Sequence, residues 1–153
     1  MNTRTTAPLR FICVSAALLV SGCTAYAPNH AYIGLSREET IRALGNPRPM
    51  PAQIDTAQRL DFPRGPFGKH TYAVYFDDRG RVSGFRQLLS EETFDKIFPG
   101  MDQAQVVDLI GISRDTYLLG RERGYVWSYR YDTPLCRWFQ IEFTQDDKVR
   151  SSG

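Results

Sequence analysis

Apolar positions along this chain recur first at helical spacing and then at strand spacing, and the chain runs through that order twice. From Gly34 to Gly45, and again from Gly100 to Gly111, a glycine precedes an apolar residue (Leu35, Met101) and a helix-capping residue (Ser36, Asp102). An apolar pair three residues apart follows (Ile41 with Leu44, Val107 with Ile110), then a closing glycine. Ser36 has Glu39 three residues on, and Asp102 has Gln105. Each pair reads as a capping box, in which side chains satisfy amides that the first helical turn leaves unpaired. Gly45 and Gly111 stand where a chain leaving a helix needs a left-handed residue, and Pro47 forbids continuation of the first copy. The pattern predicts two short helices of about three turns each.

After each helix the period drops to two. Residues 58–77 align without a gap on residues 125–144, placing Leu60 on Trp127, Phe62 on Tyr129, Tyr72 on Phe139, Val74 on Ile141 and Phe76 on Phe143. Matches at every second position mark half-buried strands. The unit is therefore a helix followed by an antiparallel meander. Its length of about 66 residues exceeds the usual solenoid periods, so the chain carries one duplication rather than an array.

Turn chemistry sets the strands. The first repeat predicts strands at Arg59–Pro63, Lys69–Phe76 and Arg81–Leu88, separated by Arg64-Gly65-Pro66-Phe67-Gly68 and Asp77-Asp78-Arg79-Gly80. A short connecting helix starts at Ser90-Glu91-Glu92, carries Phe94 and Ile97, and ends at Pro99-Gly100. The second repeat predicts strands at Thr116–Leu119, Tyr125–Tyr131 and Cys136–Thr144, with a short last strand after Gln145-Asp146-Asp147-Lys148. The fold class that follows is α+β: two tandem two-layer repeats, each a helix on an antiparallel sheet, sharing a core that about 120 residues suffice to build.

The N-terminal stretch does not belong to that fold. Arg4 and Arg10 precede an apolar run from Phe11 to Val20, and small residues Ser21 and Gly22 precede Cys23. This is the order of a signal peptide, too short in its apolar part to span a bilayer. The sequence Leu-Val-Ser-Gly-Cys resembles a bacterial lipobox, which makes Cys23 the lipidated first residue of the mature chain. The expected organisation is a leader over 1–22, a lipidated and little-structured tether over 23–32, a first repeat over 33–89, a connecting helix over 90–99 and a second repeat over 100–153.

Removing the leader changes the charge. Of the 19 Lys and Arg, Arg4 and Arg10 are lost, and the rest balance the 17 Asp and Glu. A neutral mature chain gives no support to a nucleic-acid partner, which needs a basic surplus on one face. Cys13 goes with the leader and Cys23 takes lipid, so Cys136 has no partner for an internal disulfide.

Candidate chemistry is sparse. His30 falls in the tether and His70 on the apolar phase of a strand, without a second ligand at metal spacing, so His70 reads as a packed side chain. Cys136 has no nucleophile signature around it and reads as a buried or half-buried thiol. The pairs Glu38-Glu39 and Glu91-Glu92 fall in first helical turns, where the dipole favours negative charge. Asp77-Asp78 and Asp146-Asp147 fall in hairpin turns, where carboxylates bond the local backbone. No phosphate loop or nucleophile elbow is present. The expectation is a protein that is not an enzyme, with no cofactor or metal beyond covalent lipid on Cys23.

The sheet faces say more. If the aligned apolar set faces the helices, the opposite phase shows Arg59, Asp61, Lys69, Thr71, Tyr75, Ser128, Arg130, Trp138, Gln140 and Glu142. Tyr75 and Trp138, standing among polar groups that include Arg59 and Arg130, fit a protein-binding patch. The same pattern fits a solvated face, or one covered by the other repeat.

The lipobox, the Gly-Met-Asp-x-x-x-Val-Val-x-x-Ile-Gly helix, Val-Trp-Ser-Tyr-Arg-Tyr at 126–131 and Phe-Gln-Ile-Glu-Phe at 139–143 together resemble the BamE (SmpA/OmlA) family of outer-membrane lipoproteins, here once per repeat over nearly all of residues 33–151. The resemblance implies an outer-membrane lipoprotein on the periplasmic face, a non-catalytic role, and contact with β-barrel assembly machinery proteins and anionic phospholipid. Gly100, Met101 and Asp102 match the family's Gly-Met-Thr helix start, with Asp for Thr, and are carried over as partner-binding positions. Gly45-Asn46-Pro47 matches its Gly-x-Pro exit, whereas Leu35 replaces Met in the first repeat and Ser113 stands where the second should have proline. Tandem units of this kind also resemble the β-lactamase inhibitor protein fold, which implies an alternative: a periplasmic protein-binding or inhibitor module.

Overall fold

The structure, a computed structural model, describes residues 26–51, 54–121, 123–135 and 137–153. The leader, Cys23 and Cys136 lie outside the described residues.

Each capping box forms as its sequence dictates. Helix α1 spans Arg37–Leu44, with Ser36 and Glu39 each satisfying the other's backbone amide, and α3 spans Gln103–Ile110, with Asp102 and Gln105 doing the same. At eight residues each they are shorter than expected. The caps account for this: Gly45 and Gly111, at φ 88° and 75° with extended ψ, end the helices in backbone open essentially to glycine alone.

Sheet 1 is formed by β1 (Arg59–Arg64), β2 (His70–Phe76) and β3 (Val82–Gln87) in that order, all antiparallel. Sheet 2 is formed by β4 (Asp115–Leu119), β5 (Gly124–Arg130), β6 (Trp138–Thr144) and β7 (Val149–Ser152), also antiparallel. The protein is thus α+β with two antiparallel sheets. The connecting helix α2 is one turn, Glu91–Phe94, with Ser90 Oγ on Thr93 Oγ1 at 2.9 Å rather than on a helix amide.

The two repeats share a pairing register. Leu60 opposes Val74 and Phe62 opposes Tyr72 in sheet 1, while Trp127 opposes Ile141 and Tyr129 opposes Phe139 in sheet 2. A register shift falls between Tyr75 and Phe76 and, equivalently, between Glu142 and Phe143. The segment before each helix is pinned to the last strand of its sheet by matching backbone bonds. Gly34 N donates to Val82 O at 2.8 Å and Val82 N to Leu35 O at 2.9 Å, while Gly100 N donates to Val149 O and Val149 N to Met101 O, both at 2.8 Å.

The cores differ in size. Leu44 of α1 packs with Leu60, Phe62, Val74, Phe76 and Val82. A larger core joins Val106, Val107 and Ile110 of α3 to Trp127, Tyr129, Ile141 and Phe143 of sheet 2, to Phe94 and Ile97, and to Ala73 from the back of sheet 1. Phe94 stacks on Phe139 at 4.1 Å between centroids, which gives the short connecting helix its anchor.

Candidate functional site

The polar sheet face expected from the alternation is divided by repeat. Its first half is covered. Arg59, Asp61 and Thr71 are buried, and Tyr75 packs partly buried against the larger core. Over Arg59 and Asp61 lies the C-terminal end of α3, where the chain's carbonyls need donors. Arg59 Nη1 donates to Asp108 O at 2.8 Å, Tyr129 Oη to Gly111 O at 2.9 Å, and Arg48 Nη1 to Ile112 O. Arginines at a helix C-terminus also meet the negative end of its dipole. Arg59 and Tyr75 are therefore interior residues joining the repeats, not parts of an outward patch. Burial opposes the charge on Arg59, but Asp61 outweighs it and leaves the guanidinium with its pKa raised.

Of the helix-start positions Met101 turns inward, while Gly100 and Asp102 stay exposed. Met101 is buried, and the backbone of Gly100 and Met101 is used by Val149. Asp102 caps α3 and pairs with Lys148. These residues hold the helix to the sheet.

In the second half Trp138 and Gln140 are exposed, Arg130 and Glu142 half-buried, and Ser128 is buried. Arg130 and Trp138 are cross-strand partners, and the Arg130 guanidinium carbon lies 4.2 Å from the Trp138 ring. It lies equally 4.2 Å from the ring of Phe67, a first-repeat residue in the turn before β2. Gln140 Nε2 donates to Ser128 Oγ at 3.0 Å and reaches Tyr117 Oη at 3.4 Å. Asp115, Tyr117, Ser128, Trp138 and Gln140 line a shallow hollow of about 480 Å³. Phe67 is 77% exposed, Tyr117 48% and Trp138 41%, so three aromatic rings stand out of this surface.

Tyr117 and Phe67 were not singled out from the sequence. Tyr117 sits on β4, which has no counterpart among the strands of sheet 1. Ser113 accounts for that strand: its Oγ donates to Ser128 O at 2.6 Å and accepts from Asp115 N at 3.1 Å, fastening the start of β4 to β5. Proline there could do neither. Phe67 is invisible to periodicity because it lies in a turn, at φ 59° between Gly65 and Gly68.

His70 packs against Tyr26 at 4.8 Å between ring centroids, with Asp132 3.7 Å from Nε2. The end of the expected tether is thereby ordered, with a single 3₁₀ turn at His30–Tyr32. Among the described residues no group of His, Cys, Asp and Glu could hold a metal ion, and no helix is long and apolar enough to cross a membrane.

No family model matches the chain, and no curated protein does. A crystal structure described as an osmotically inducible lipoprotein, OsmE, is similar over 42% of this chain and 75% of its own, at 24% identity and a TM-score of 0.36.

Proposed function

We propose that the chain is a lipid-anchored, non-catalytic accessory subunit in outer-membrane β-barrel protein assembly, tethered through Cys23 and docking through the outward face of sheet 2. The observation that carries the docking surface is the run of Phe67, Arg130, Trp138 and Tyr117 across that face. Tryptophan, tyrosine and arginine dominate the energetics of protein interfaces because they bury large, rigid area and still offer a polar handle. The lipobox and the family resemblance supply the compartment and the assembly role. An acylated cysteine with more than one chain gives stable anchoring, which fits a scaffold held at a membrane.

The test is a mild-detergent, crosslinked pull-down of the full chain beside Cys23→Ala and Trp138→Ala forms, read by mass spectrometry. Barrel-assembly subunits should come down with the parent chain and be depleted in both variants. Their absence under crosslinking sinks the assembly role. One-to-one recovery of a periplasmic enzyme, lost on Trp138→Ala, identifies the inhibitor-type module instead.

A further inference from the structure

Where the Gly65–Gly68 turn of the first repeat meets the start of β4 and the end of β5, the repeats enclose a hollow of about 410 Å³. Arg48, Arg114 and Arg130 line it together with Phe67, Gly68 and Asp115. Arg48 is 9% exposed, and its buried Nε has no hydrogen-bond partner. Its Nη2 lies beside Gly68, 3.5 Å from the point a Cβ there would occupy. None of the three guanidinium groups forms an ion pair among the described residues, although Asp115 stands in the same wall. Among the groups that line the hollow, three cations face one carboxylate, a surplus of two positive charges. Burial first, and Arg114 next, pull the Arg48 guanidinium below its ordinary pKa, and Tyr129 and Asp61 offset this only in part.

The wall is held in place at a conformational cost. Gly65, Phe67 and Gly68 all have left-handed φ (68°, 59° and 74°), and Phe67 adopts it without being glycine. Strain of this kind persists where surrounding structure imposes it, and it clusters at ligand sites. Its effect is to set the Phe67 ring against Arg130 and fix that guanidinium at the rim.

We propose that this inter-repeat hollow binds a phosphate monoester, with Arg48, Arg114 and Arg130 donating to its oxygens. A monoester carries about 1.5 to 2 negative charges at neutral pH, matching the surplus that a single carboxylate leaves half unneutralised. Planar guanidinium forks suit phosphate oxygens in pairs. The volume is within the range of small-molecule sites and accommodates the esterifying group as well as the phosphate. The site stands on the contact between repeats and does not rest on the assembly role.

The test is calorimetric titration of the full chain in mild detergent, at low ionic strength, with inorganic phosphate, glycerol 3-phosphate, short-chain phosphatidic acid and acetate. Phosphate and glycerol 3-phosphate should bind saturably and more tightly than acetate. Arg114→Gln, an exposed position outside the sheet-2 strip, should weaken binding about tenfold, the scale of one lost charge-assisted contact, with melting unchanged; Arg130→Gln should weaken binding as much and also lower melting, because it loses its contacts with Phe67 and Trp138. Tighter binding of phosphatidic acid than of glycerol 3-phosphate, still dependent on Arg114, assigns the phosphate to a lipid headgroup; equal affinities assign it to a soluble ester. Acetate binding as tightly as phosphate, no saturable binding of any phosphate, or binding indifferent to both substitutions overturns the site.

Discussion

Arg59 and Asp61, two residues apart on β1, grip each other in the interior, Nε to Oδ1 at 2.8 Å and Nη2 to Oδ2 at 3.0 Å, with side chains 6% and 0% exposed. The third arm of the guanidinium reaches the end of α3 in the other repeat. Removing one partner strands a buried charge. Asp61→Asn should therefore cost about 3–5 kcal/mol, whereas an apolar pair at 59 and 61 should recover much of it. Urea midpoints of the single and double variants decide this; a loss below about 1 kcal/mol, the range of surface pairs, would contradict the burial.

Gly45 and Gly111 occupy equivalent positions with near-equal φ, but only Gly111 is crowded: an added Cβ would lie 3.0 Å from Asp61 Oδ2 and 3.6 Å from Leu88, against nothing within 4 Å at Gly45. Both alanine variants should lose about 1–3 kcal/mol for the backbone alone. Gly111→Ala should lose measurably more, because it also pushes on the buried ion pair. Equal losses on chemical unfolding would show that the Asp61 contact carries no energy.

The carboxyl of Glu39 is held below the usual 4.5, first by the Ser36 amide and then by the Ser36 hydroxyl. The unfolded chain then binds the proton more readily, so the stabilisation is fully present above the ordinary value and is lost as pH falls through the lower folded one. Glu39→Gln should melt below the parent at neutral pH and level with it in acid. In the second repeat Gln105 fills the same place and has no proton to take up. A melting difference that persists in acid would rule out the charge as its source.

Ser113→Ala removes a hydroxyl that bonds both Ser128 O and Asp115 N in buried surroundings. The cost should be about 1–3 kcal/mol, the range for unpairing buried polar groups. Loss should concentrate in β4, so amide exchange at Thr116 to Leu119 should quicken before that of β5 and β6. Uniform quickening across sheet 2 would place the role of Ser113 in the core instead.

The elements were legible because their signals are local. Ser36 with Glu39 and Asp102 with Gln105 announce helix starts, and the alternation from Leu60 to Phe76 and from Trp127 to Phe143 announces strands whose registers agree. The covering of sheet 1 by the other repeat stood among the alternatives, but the alternation could not select it. Arg59, Asp61 and Thr71 look like solvent-facing residues by type, and they are tolerated inside only because they bond each other and neighbouring carbonyls. Periodicity reports which residues share a face, not what lies against it. For the same reason Trp138 and Arg130 were found on an outward face, whereas Tyr75 was assigned there and is not, and Phe67, Arg48 and Arg114, lying in irregular segments, were missed.

The dependence of sheet 1 on α3 also orders events in time. A chain made from its N-terminus completes β3 at Gln87, but the helix end that closes over Arg59 and Asp61 arrives only with Gln103–Ile110. Until then the first repeat has one finished side and one wet one, with its charged pair exposed to solvent. The duplicated halves are therefore expected to mature together rather than one after the other as independent domains would, the earlier half being complete only once the later closes over its charged pair.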